Sequence, residues 1–142
     1  MTARSAVAGL ASTLALLAFA GAALACGGDP MPENLVATAK VKTALHATYA
    51  STHRGARVDG PVRGRTYYGT VGGDLYAIAT FQIGGRTTKP VILVRHENRP
   101  DRWHVARETR GAVCGRFVPV SLIGVWHLKQ VAHTDCFVEP AA

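Results

Sequence analysis

The chain has 142 residues, with sixteen Lys and Arg against nine Asp and Glu, a formal charge of +7 and 48% hydrophobic residues. That length holds one small domain, and the basic balance favours anionic partners. Outside the N-terminal segment there is no low-complexity stretch or internal repeat, and no dense run of cations marks a charged tail.

Met1 to Ala25 carries Arg4, then an apolar, alanine-rich run from Leu10 to Leu24, and ends on Ala23-Leu24-Ala25. A basic start, an apolar middle and small residues at the two positions a peptidase reads predict a cleaved export signal over residues 1–25. The apolar run is short for a membrane span and no basic stop-transfer cluster follows it. Removing this segment leaves fifteen Lys and Arg against nine acids. Residues 26–34 then read as a flexible tether opening on Cys26-Gly27-Gly28-Asp29-Pro30. Cys26 is the candidate for lipidation, which would anchor the chain to the outer face of the membrane. The usual lipoprotein pattern has Leu three places before the cysteine, where Ala23 stands here. Lipid anchoring and ordinary secretion both stay open.

A single α+β domain is expected over residues 35–142. Leu35 to about His53 lacks Gly and Pro and places Val41, Ala44, Leu45, Thr48 and Tyr49 at helical spacing, which predicts an amphipathic helix with Lys40, Lys42 and His46 toward water. Residues 54–65, with three glycines and four arginines, read as a connection. In Arg65 to Ile83, two runs of β-branched and aromatic residues flank Gly72-Gly73, a pair that accepts the positive φ of a tight hairpin turn. Leu75, Ala77, Ala79, Phe81 and Ile83 form the better core face, while Tyr76 and Ile78 imply that the other face is covered too. Pro90 to Arg95 offers apolar groups to both sides, as a central strand does. Arg102 to Glu108 alternates, with Trp103, Val105 and Arg107 on one side and His104, Ala106 and Glu108 on the other. These four strands make an antiparallel meander. Gly111 to Gly115 reads as a turn, and Pro119 opens a short helix with Leu122, Ile123, Trp126 and Leu128 as anchors. Cys114 and Cys136 form a natural disulfide around that helix, and closing a loop of this length stabilises by roughly 3 kcal/mol. The expected architecture is an N-terminal helix on a four-stranded meander, with a short C-terminal helix stapled by the disulfide.

The chemistry-bearing residues are sparse. Six histidines raise a metal site, but only His133 and Cys136 have short ligand spacing, so neither a metal nor another cofactor is expected. Cys114 as a nucleophile would need to stay reduced outside the cell. Nucleophile-elbow, phosphate-loop and paired-glutamate patterns are missing. Weak ligand-binding candidates are Arg57, Arg63 and Arg65 in the basic connection, with Tyr68, Tyr76 and Trp103, where Trp103 and Trp126 would edge a shallow pocket between sheet and helix.

The order of signal, helix, YYGTVGGDLYAIATF hairpin, Trp103 strand, Val113-Cys114, Val118-Pro119, Leu122, Trp126 and Cys136 resembles small secreted proteins and lipoproteins of high-GC Gram-positive bacteria. The helix-on-sheet plan is also similar to cystatin-like folds. The first resemblance implies fold and compartment but no catalytic residue, and the second, to a wide group with binding, inhibitory and enzymatic members, selects no function. The leading expectation is a non-enzymatic envelope or extracellular domain that binds an unidentified protein or an anionic envelope component, not nucleic acid. One alternative is an extracellular enzyme using His104, or His96 near Glu97, as acid or base. Another is a secreted protease inhibitor presenting Gly84 to Lys89.

Overall fold

A computed structural model describes residues 30–140, so the predicted export signal and Cys26 lie outside the described residues. Its elements are β1 (Glu33–Asn34), α1 (Ala39–Thr52), β2 (Val58–Asp59), β3 (Thr66–Val71), β4 (Asp74–Ala79), β5 (Gln82–Ile83), β6 (Arg86–Thr87), β7 (Val91–Arg95), β8 (His104–Glu108), β9 (Val113–Cys114), α2 (Val120–Val125), β10 (Lys129–Gln130) and β11 (Cys136–Val138). No helix among them is long and apolar enough to cross a membrane.

The main sheet is antiparallel, with five strands in the order β1-β3-β4-β7-β8. The expected four strands are β3, β4, β7 and β8, in consecutive order. The fifth strand comes from the end of the segment expected as a tether: Glu33 and Asn34 pair with Thr70 and Gly69, and the Leu35 N–H donates to the Tyr68 carbonyl at 2.8 Å. Those bonds hold residues 33–35 extended, so α1 starts four residues later than its apolar spacing suggests. Thr38 caps it, its Oγ1 accepting from the Val41 N–H at 3.4 Å.

The hairpin turns at Gly72-Gly73, both with positive φ. Its second arm is shorter than expected. Thr80 leaves the ladder to accept from the Val62 N–H at 2.7 Å, and Gln82–Ile83 then pair with β2 and β6 in a separate three-stranded sheet. The basic connection is therefore partly a strand, and half-buried His46 is held at its edge, with Nε2 2.9 Å from the Val58 carbonyl oxygen.

Both faces of the sheet are covered. Leu45 and Tyr49 of α1 pack with Ala77, Ala79, Phe81, Val91 and Leu93 on one side, and the Tyr49 and Phe81 rings stack at 4.3 Å. Leu122, Ile123 and Trp126 pack with Ile78, Ile92, Val94 and Val113 on the other. Strand β7 is buried on both faces, as its continuous apolar run requires. The C-terminal layer is a three-stranded sheet in the order β10-β11-β9, in which Cys114 and Cys136 face each other across a pair of strands and form a disulfide. What reads as a turn at Gly111 to Gly115 thus contains strand β9.

A bulge in β8 alters the expected alternation. Leu93 pairs with Val105 while Ile92 pairs with Arg107, leaving Ala106 as the extra residue. Arg107 therefore moves to the α2 face and Glu108 to the α1 face, each opposite to its place in a strict period of two.

Candidate functional site

The bulge builds a strongly charged concavity. Arg107 leaves β8 on the α2 side, Arg110 sits in the following turn, and Arg116 follows β9. Together with Thr109, Cys114 and Phe117 they line an open cleft of about 430 Å³. The turn is tied at both ends: the Thr109 N–H donates to the Pro90 carbonyl at 3.0 Å, and the Gly115 N–H to the Asp135 carbonyl at 2.8 Å. The Arg107 and Arg116 guanidinium carbons lie 5.4 Å and 4.9 Å from the Phe117 ring centroid. Stacking on one ring limits the freedom of both side chains while leaving their N–H groups for a ligand. Glu108 is the acid at the rim, and its Oε1 lies 3.3 Å from His53 Nε2, on the α1 side. Three exposed guanidiniums around a concavity, with one acid drawn aside, suit an oxyanion-rich ligand.

The arginines singled out from sequence do not converge. Arg57 points its Nε at both oxygens of Asp59, at 3.2 Å and 3.1 Å, in an exposed ion pair. Arg63 is exposed. Arg65 lines a second cleft with Lys89 and Glu139. The aromatics divide between faces. Tyr68 and Trp103 lie on the α1 side with ring centroids 6.2 Å apart and Arg95 over Trp103, whereas Tyr76 and Trp126 lie on the α2 side. Trp103 and Trp126 pack on opposite faces of the sheet, so the shallow pocket expected between them does not form. The arginines that do converge had one signal in the sequence, three of them within ten residues around Cys114, and only the bulge turns it into a shared surface.

A second cluster stands at the other end of β8. Asp74 Oδ2 lies 2.8 Å from His96 Nδ1, its Oδ1 accepts from the Glu97 N–H at 2.8 Å, and the His96 and His104 rings are 5.2 Å apart. Burial pushes the Asp74 carboxyl up, but the bonds from His96 and Glu97 outweigh it and hold the group below its ordinary value. Burial, then the neighbouring His96 and Arg99, lowers the His104 pKa. His96 is therefore partnered by the Asp74 carboxylate; Glu97 contributes its backbone N–H, and its carboxylate lies over Gly73. Cys114, Asp135 and Cys136 also lie together, but both sulfurs are in the disulfide and are no ligands.

No protein-family model matches the chain, and neither a curated protein nor a solved structure matches it.

Proposed function

We propose that the protein is an exported, non-enzymatic domain of the cell envelope or extracellular space that binds an anionic partner through the cleft of Arg107, Arg110 and Arg116. The observation that carries this reading is the convergence of the three guanidiniums, two of them braced on Phe117, on one open concavity. Export rests on the pattern of residues 1–25, and a phosphate-rich envelope polymer is the partner class whose charge suits the cleft. Bidentate guanidinium contacts give such a site geometry as well as charge.

The test is titration of the purified protein with linear polyphosphate at two salt concentrations. R107Q/R110Q/R116Q weakens binding by about tenfold or more, since each lost charged contact is worth about 1 kcal/mol or more. R57Q/R63Q, which removes two guanidiniums away from the cleft, leaves binding within about twofold. Equal losses in the two variants would show that only overall charge matters and would reject the cleft.

A further inference from the structure

We propose that His96 and His104, with Asp74 behind His96, form a surface site for a divalent transition metal of the zinc and copper class. The sheet brings the two imidazoles together. Val94 pairs with His104 across β7 and β8, and His96, two residues beyond Val94, emerges on the same face. Both histidines are exposed, and their ring centroids are 5.2 Å apart. A metal about 2.0–2.1 Å from one nitrogen of each ring stands about 3.2 Å from each centroid, and two such rings at a tetrahedral angle are then about 5.2 Å apart.

The support behind His96 is what a ligand imidazole needs. With Asp74 ionised, His96 Nδ1–H donates to Oδ2 at 2.8 Å, which leaves the lone pair on Nε2 and fixes the ring. Asp74 is itself fixed, because the Glu97 N–H holds its other oxygen. A carboxylate backing an imidazole also raises its basicity as a ligand. Arg99 is the opposing charge on the His104 side, and Asp74 provides a negative charge on the His96 side. Two protein nitrogens leave the remaining coordination positions to water, so the site suits a loosely held ion or one shared with a partner group. Nothing in the sequence spacing announces it, since the two histidines are separated by a turn, and only the strand pairing makes them neighbours.

The experiment uses the full chain and the metal alone. Calorimetry with Zn²⁺ in buffer free of chelators gives one site per chain. H96A and H104A each weaken it by about tenfold or more, and D74N by about ten- to a hundredfold, the range typical of a lost outer partner. H127A and H133A bind as the parent does. With Cu²⁺, electron paramagnetic resonance shows two ring nitrogens in the parent and one in either of H96A and H104A. Far-UV circular dichroism, run on each variant, confirms that both exposed histidines can be replaced in a folded chain. Absence of Zn²⁺ binding in the parent, or its retention in H96A or H104A, overturns the proposal.

Discussion

Gly69 is the position where the smallest possible side chain has the largest structural consequence. It lies buried in β3, where a Cβ would stand 2.5 Å from the Glu33 carbonyl oxygen, 2.7 Å from Leu122 Cδ1 and 3.4 Å from Trp126 Cζ2. The first two separations are well inside ordinary contact. Leu122 can change rotamer only against a filled core, because Ile123 and Trp126 surround it, and the Glu33 carbonyl belongs to a backbone that pairs directly with Gly69 and Thr70. A two-residue edge strand yields before a packed helix, so Gly69→Ala is expected to detach β1 and to open the α2 layer slightly. Overpacking of this kind costs about 1–3 kcal/mol. In a domain of this size a loss of about 2 kcal/mol lowers Tm by on the order of 10 °C. Thermal unfolding followed by circular dichroism gives the size of the effect, and hydrogen exchange gives its place: the Leu35 amide, bonded to the Tyr68 carbonyl, loses protection first. A variant that melts with the parent and keeps Leu35 protected would refute the reasoning.

The opposite substitution elsewhere has the opposite sign. Gly124 is exposed in α2, has ordinary helical φ, and has nothing within 4 Å of an added Cβ, so Gly124→Ala raises stability by about 0.5–1 kcal/mol in denaturant unfolding. Tyr49 is buried, and burial followed by the Glu108 carboxylate pushes its pKa up to about 12. A raised folded pKa contributes stability that is complete below the ordinary value of 10.0 and is lost as pH rises towards 12; phenolate absorbance and unfolding curves show this loss in the parent and its absence in Y49F. Asp74 has the reverse sign. Its folded pKa is lowered, so its contribution is complete above 3.8 and is lost as pH falls further, and in D74N the acid limb of the stability profile is shallower.

The parts of the fold that were legible in the sequence are those set by local pattern. The glycine pair fixed the hairpin, the apolar run of Val91 to Val94 identified a strand buried on both faces, and Pro119 marked the start of α2. What the sequence did not show depends on distant partners. Glu33 and Asn34 become a strand only because β3 has a free edge, and residues 35–38 stay out of the helix because Leu35 bonds to Tyr68. A single extra residue at Ala106 moved Arg107 and Glu108 to the faces opposite those of strict alternation, and that shift carried the arginine cleft with it. The basic connection holds four arginines in twelve residues, yet nearness along a chain does not place guanidiniums on one surface: Arg57 turns to Asp59.

The disulfide connects stability to the proposed ligand site and separates it from the metal site. Cys114 and Cys136 stand opposite each other in β9 and β11, and the segment between them supplies Val118, Leu122, Ile123 and Trp126, half of the buried residues of one core layer. Cys114 also lines the arginine cleft, two residues before Arg116. Replacing both cysteines by serine removes about 3 kcal/mol of loop-closure stabilisation. The loss falls unevenly, because the α1 layer and the β3–β4 hairpin lie outside the bridged loop. Amides of α2 and β11 therefore exchange faster at denaturant concentrations where the β3 and β4 amides remain protected. Polyphosphate binding weakens with the loosening of Arg116 and Phe117, while Zn²⁺ binding at His96 and His104 persists, since those rings stand on and just beyond the β7–β8 pair. Equal loss of protection in α2 and in the hairpin would mean that the two layers unfold as one unit, and the disulfide would then support the whole domain rather than the face that carries the cleft.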